Sequence, residues 1–384
     1  MSSNRKFSCS GFFSAFLSNE SELIELLTEF GFPVPSPFAT EDACNALIAS
    51  NPGEHALLTS ELYKLNELAT KKGTEILKDL IAKFHIPGPH PDSTMTRERA
   101  ALWLRKTSKG MFEHALDLLA IDGLQGTTMG LFQGNFAFPI PDASAAVSGF
   151  EKQLTENLGM WKGAEAFNLR HYMDGNLLVI LVFCERTAEV QLEMDSAKKV
   201  MTSIRRPVFQ DVLFYNTSTG ELEIEAGQPS HREILRKSFA LGVMNDDSFF
   251  PEEEHCRVLQ LKNLVDRCFH LPTSGTHRAI VSGIKLKRVI GKKYLTSEHS
   301  CSRNDLIAIL GWNDTNMPTT GLGEVASVRI ELELGPGRSD RKTIELSGTN
   351  RIKFNRSTHS ETVYEYLRSW NLMLQSGLAE EDAA

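Results

Sequence analysis

Cysteine thiolate and histidine imidazole are well-matched ligands for a transition metal, and this chain concentrates them. Of its 6 cysteines and 11 histidines, seven fall between residues 255 and 301: His255, Cys256, Cys268, His270, His277, His299 and Cys301. Tight zinc sites use C-x2–4-C or H-x3–5-H, spacings that let two ligands reach one ion. Neither occurs in this stretch, where the nearest neighbours run H-C, C-x-H and H-x-C. Two readings follow. Either Cys256, Cys268, His270, His277 and Cys301 are brought together by the fold around zinc, or the cysteines belong to a core and the histidines are scattered polar positions. Free cysteine is among the most buried of residue types, which favours the second. No cofactor is expected, with zinc the one candidate.

Other chemistries are thinly represented. A phosphate-cradling loop needs G-x-x-x-x-G-K-[ST]. The nearest match, Gly283–Tyr294, has seven residues between its glycines and Lys293 where the hydroxyl should stand. Gly321–Glu324 lacks the third glycine of a dinucleotide loop. Neither G-x-S-x-G nor H-E-x-x-H occurs, which removes the nucleophile elbow and the zincin helix. A magnesium nuclease would want two acids on neighbouring strands and a lysine two residues beyond the second. Asp174 with Glu185, and Asp211 with Glu223, have the separation, but Thr187 and Glu225 stand in the lysine position. His171 and Asp174 flank one turn and could act as an acid–base pair; a surface histidine near a turn is the plainer account.

The charge is unevenly spread. Net charge is −8, yet residues 277 to 356 hold 14 Lys and Arg against 8 Asp and Glu, while the rest of the chain holds 27 against 41. Lys285, Lys287, Lys292, Lys293, Arg338, Arg341, Lys342, Arg351 and Lys353 could line one surface, and phosphate contacts need little more than such charge. Base stacking needs exposed aromatics as well, and only Tyr294 and Phe354 lie among them. Glu331, Glu333 and Glu345 interleave with the basic residues, as cross-strand pairs do.

The elements that must carry these residues change character along the chain. Up to about residue 160 the apolar spacing is helical, as in Leu23, Leu26 and Leu27 or Ile76, Leu77, Leu80 and Ile81, with Thr96 placed to cap the helix that follows. Residues 134–150 read as a loop or linker. Beyond 160 the period turns to two. Asp174-Gly175 marks a hairpin, residues 188–204 read as a strand and then a helix, and 327–354 as a β-meander. Leu222, Ile224 and Ala226 alternate with Glu221, Glu223 and Glu225, which makes the glutamates a solvated face. Ser230 and Glu233 have capping-box spacing for a helix ending near Gly242, and a last helix spans about 360–374.

The expected fold is therefore α+β: a largely helical domain over 1–160, then 161–384 with an antiparallel sheet or meander and a closing helix. With 41% hydrophobic and 23% charged residues, the composition is that of a soluble globular protein, and no apolar run nears the ~18–20 residues of a membrane helix. The N-terminus reads as mature protein, and six cysteines without close pairing read as reduced thiols in the cytoplasm. The reading that follows is a non-catalytic binding or scaffold component of a larger assembly. A protein partner is expected, and nucleic acid is a possible contact through the basic strands. The alternative is a metal-dependent nuclease or hydrolase with an atypical site.

Overall fold

The computed structural model describes residues 8 to 374, less positions 35, 89, 93, 158, 187 and 228 and the segments 51–53, 124–127, 160–163, 195–199, 206–207, 266–270, 291–292, 302–323, 337–339 and 355–359. The chain divides into two compact units, Met1–Gln125 and Gly126–Ala384, and each encloses its own apolar core.

The first unit is helical: α1 (Cys9–Ser14), α2 (Glu20–Glu29), α3 (Thr40–Ala49), α4 (Ala56–Leu68), α5 (Lys71–Phe84), α6 (Arg97–Thr107) and α7 (Lys109–Gly123). The stripes read from the sequence are its core, with Leu23, Leu26, Leu27, Leu62, Leu65 and Leu80 all buried. Helices α4 and α5 part at Ala69–Thr70. The Thr70 hydroxyl accepts the Gly73 N–H at 3.0 Å, satisfying a donor the helix leaves free. Thr96 caps α6 in the same way, accepting from Arg99 at 3.3 Å. Arg105 of α6 is buried; it reaches Glu29 at 2.6 Å and also bonds Glu61. A buried guanidinium without such partners would be strongly destabilising.

The second unit is built on ten strands. They are β1 (Met129–Gln133), β2 (Ala164–Asp174), β3 (Leu177–Arg186), β6 (Val208–Asn216), β7 (Glu221–Glu225), β8 (Arg278–Ile290), β9 (Lys293–Ser300), β10 (Glu324–Glu333), β11 (Arg341–Ser347) and β12 (Arg351–Lys353). Their order is β2-β3-β6-β7-β1-β12-β11-β10-β8-β9, and every described pair is antiparallel. The helices of this unit are α8 (Ala143–Asn157), α9 (Pro229–Phe239) and the closing α10 (Ser360–Ser369). This is the α+β architecture the change of period implies. No helix among the described residues is long and apolar enough to cross a membrane.

Several local readings change. The second unit begins at Gly126, not near residue 161, because β1 pairs with both β7 and β12 and so closes the middle of the sheet. Five residues are too short to announce a strand inside a helical stretch. Residues 143–157, within and beyond the expected loop, form α8, whose first turn is held by Asp142 accepting from Ser144 and Ala145. Residues 189–205 hold a separate hairpin, β4 (Glu189–Met194) with β5 (Val200–Arg205), where a helix was expected. Helix α9 begins at Pro229, one residue before Ser230, and the Glu233 carboxylate turns to Arg236 instead of back toward a cap.

Helix α9 runs on into a π-turn, Ala240–Met244, and Gly242 is needed there. A methyl at Gly242 would lie 2.5 Å from the Gly149 carbonyl, and one at Gly149 would lie 2.1 Å from the Gly242 carbonyl. Two backbones in contact leave no room for a Cβ.

Register separates the two faces of the sheet, since directly opposed residues share a face and neighbours along a strand do not. One face carries Leu178, Ile180, Leu213, Tyr215, Leu222 and Ile224, packed with Phe150 and Leu154 of α8 and Leu235 and Phe239 of α9. The other carries Val328, Ile330, Leu332, Ile344, Leu346 and Ile352, packed with Val363 and Leu367 of α10.

The glutamate row of β7 lies on that second face and is not solvated. Glu223 accepts from the Tyr364 hydroxyl at 2.6 Å, Glu221 takes both its oxygens to Arg368, and Glu223 and Glu225 are buried. The carboxylates anchor α10 to the sheet.

A candidate binding face and cleft

Where the cover of α8 and α9 ends, the first face of the sheet continues across β12, β11, β10, β8 and β9, and among the described residues it is a polar surface. Each strand there needs an apolar inner row for α10 and a polar outer row for water, which is what period-2 alternation encodes. Across the outer row, Arg341 stands opposite Glu333, Arg329 opposite Glu345, and Glu345 opposite Lys353. The pairs close at 3.2 Å for Arg341–Glu333, 2.9 Å for Arg329–Glu345 and 3.4 Å for Lys353–Glu345. Lys285 stands opposite Ser327 on one side and Glu298 on the other, and Lys287 is opposite Glu324. Among the described residues, the surface is a ladder of alternating sign.

The residues proposed to meet nucleic acid are thus divided. Arg341, Arg351, Lys353, Lys285 and Lys287 share the outer face. Lys342 does not: it stands opposite Leu332 on the inner face and is 3% exposed, because a one-residue step along a strand reverses the side chain. Lys293 opens β9, and Lys292 and Arg338 lie outside the described residues. Of the two aromatics, Phe354 is buried.

Among the described residues, Cys256, His277 and Cys301 do not gather as a metal site. The Cys256 thiol is fully buried and donates to the Leu131 carbonyl at 3.1 Å. Burial pushes its pKa up to about 11, against the thiolate a metal needs. His277 is engaged elsewhere: its Nδ1 lies 2.7 Å from the Tyr366 hydroxyl, which also meets Ser274 at 2.9 Å. Cys301 follows β9, its N–H bonded to Ser282. Cys268 and His270 lie outside the described residues. Among the described residues, the grouping of three His, Cys, Asp or Glu side chains with ligand atoms within 4.8 Å of one another is Glu252, Glu254 and His255. None of the proposed zinc ligands belongs to it.

The acid pairs fare no better. Asp174 and Glu185 sit at opposite ends of the β2–β3 hairpin. Asp211 and Glu223 face opposite sides of the sheet, since Glu223 pairs with Phe214, an odd number of residues from Asp211. Asp211 is instead buried beside His231 at 3.6 Å.

One feature was not legible in the sequence. At the margin between the covered and open parts of the face, a cleft of about 430 Å3 is walled by Glu253, Glu254 and the β11–β12 turn, Ser347 to Arg351. The turn is tightly held: Leu131 N–H bonds the Asn350 carbonyl and Leu259 N–H the Thr349 carbonyl, both at 2.7 Å. Glu253 joins Arg232 of α9 at 2.9 Å to Arg351 of β12 at 3.1 Å. The Asn350 side chain is 4% exposed, and its Nδ2 has no hydrogen-bond partner. Asn350 reads in the sequence as ordinary turn chemistry after Gly348, whose φ is +59°. Only the fold buries its amide.

No family model matches the sequence, and no curated protein matches it.

Proposed function

We propose that the chain is a non-catalytic binding component of a larger cytoplasmic assembly, and that the open face of its ten-stranded sheet engages a protein partner. The observation that carries this reading is the charge ladder across β12, β11, β10 and β8. Nucleic acid presents one sign of charge, and its affinity comes from cations free to replace counterions. Here Arg329, Arg341, Arg351 and Lys353 already hold carboxylates, so an approaching phosphate backbone would also meet Glu331, Glu333 and Glu345. A protein surface with interleaved charges of its own suits the ladder, and such complementarity sets register and rejects wrong partners. The cytoplasmic assignment rests on the cysteines. The chain's six cysteines show no close pairing in sequence, which suits reduced thiols.

The test is lysine-directed cross-linking in the native cell, comparing the natural chain with an Arg329→Glu, Arg341→Glu double variant. Cross-links from Lys285 and Lys353 to one defined protein, lost in the variant, are expected. If the same links persist after charge reversal, the face is not the interface. Binding of duplex DNA or RNA that collapses between about 50 and 200 mM salt and depends on Arg329 and Arg341 would replace the protein partner with nucleic acid.

A further inference from the structure

The ten-stranded sheet ends at β2, four strands from β12 where the charge ladder begins. We infer that β2 pairs antiparallel with β2 of a second copy of this chain, about a two-fold axis at Asn168, so that two sheets join into one. This contact does not depend on the protein partner proposed for the ladder.

Among the described residues β2 has one neighbouring strand, β3. It is 11 residues long, against 8 for β9 at the other edge. The β2–β3 turn is the pair Gly175–Asn176, so Asp174 and Leu177 across it form a hydrogen-bonded pair. From Ala166 onward the even-numbered residues then bond β3, and Phe167, Leu169, His171 and Met173 direct their N–H and C=O groups outward. Among the described residues no other segment bonds the backbone of these four. Edge strands are ordinarily shielded by proline, lysine, a bulge or a covering segment. Between Ala166 and Asp174, β2 has no proline, lysine or register shift. Its arginine, Arg170, lies over the Phe183 ring of β3 at 5.0 Å, turned onto its own sheet. An edge of this kind recruits a further strand.

The occupant is a second copy because the strand is complementary to itself. With the axis at Asn168, Phe167 stands opposite Leu169 of the second copy, and Leu169 opposite its Phe167. Both are partly buried against the core under α8 and α9, so the apolar row of that face continues across the junction. Glu165 falls opposite His171, an acid against an imidazole, and Ala166 opposite Arg170. Asn168 is exposed and meets its own counterpart, amide to amide. Moving the axis to Arg170 would oppose two guanidinium groups, which sheets avoid. The two pairs of Phe167 with Leu169 exchange about four backbone hydrogen bonds, and the pairs of Glu165 with His171 extend the ladder at either end.

The experiment is sedimentation velocity of the full-length protein from about 1 to 100 μM, the range of a small, reversible interface. A concentration-dependent dimer is expected. Asn168→Lys and Asn168→Glu each set like charges opposite at the axis and should weaken the dimer about fivefold; mixing the two variants should restore it as a heterodimer. Both change an exposed position, and far-ultraviolet circular dichroism checks that they fold. Under mild oxidation, Asn168→Cys should give a disulfide-linked dimer joined at position 168 of both copies, mapped by peptide mass spectrometry. Met173→Cys, five residues from the axis, should not link to itself. A monomer at every concentration, a dimer indifferent to both charge variants, or linkage from position 173 as readily as from 168 overturns the proposal. A monomer whose β2 instead takes up an extended segment of another protein overturns it too.

Discussion

Replacing Glu223 by alanine separates two accounts of the β7 glutamates. If the row were a solvated face, the substitution would move stability by no more than about 0.5 kcal/mol. The structure requires more. Glu223 is buried, and its carboxylate accepts from the Tyr364 hydroxyl at 2.6 Å. Hydrogen bonds to a charged group contribute about 1.5–3 kcal/mol, and this one ties α10 to the sheet. A unit of this size loses roughly 2–4 °C in Tm per kcal/mol, so the expected fall is about 3–12 °C. The assay is urea and thermal unfolding followed by far-ultraviolet circular dichroism and by fluorescence. Trp370 is 3% exposed and stacks on Tyr366 at the end of α10, which makes it a local reporter. A double-mutant cycle with Tyr364→Phe isolates the pair. Refutation would be a cost under about 0.5 kcal/mol, or additive single and double variants, since either shows that the bond does not hold the helix.

Two further outcomes follow from titrating groups. The Arg105 guanidinium holds the Glu29 carboxyl below its ordinary value of 4.5, so the pair contributes stability above that pH and loses it as pH falls through the lowered value. Glu29→Gln should therefore lower the urea midpoint at pH 7 and match the natural chain at the acid end; equal midpoints across the whole range would show that the pair contributes nothing. For Cys256, whose thiol burial raises to about 11, iodoacetamide at pH 8 should leave the residue unlabelled in the folded protein and label it after unfolding, as read by peptide mass spectrometry. Labelling in the folded state at the rate of a free thiol would contradict its burial.

Helical stripes, caps and turns depend on residues close in sequence, and these were legible. Leu23, Leu26 and Leu27 bury together because 3.6-residue spacing leaves them no alternative within a helix. Thr96 caps α6, and Gly175 turns β2 into β3 with φ at +60°, because both motifs close over a few residues. Alternation in β10 told the apolar row from the polar one before any partner strand was known.

Tertiary structure decided what each row met. The glutamates of β7 alternate as cleanly as Arg329, Glu331 and Glu333 of β10, yet one set lies under α10 and the other faces water. Period-2 alternation says only that two faces differ; which faces are covered depends on helices more than a hundred residues away. The basic segment shows the same limit. Counting charges made it a candidate for nucleic acid, but register set Arg329, Arg341 and Lys353 against carboxylates and turned Lys342 inward. Of the clustered cysteines and histidines, Cys256 follows β1 into the core while His277 follows α10, so closeness along the chain did not bring these two together. The cleft at Asn350 comes from two segments, the 251–257 turn and the β11–β12 turn, both of which bond Leu131 of β1, through Cys256 and Asn350, once β1 takes its place between β7 and β12.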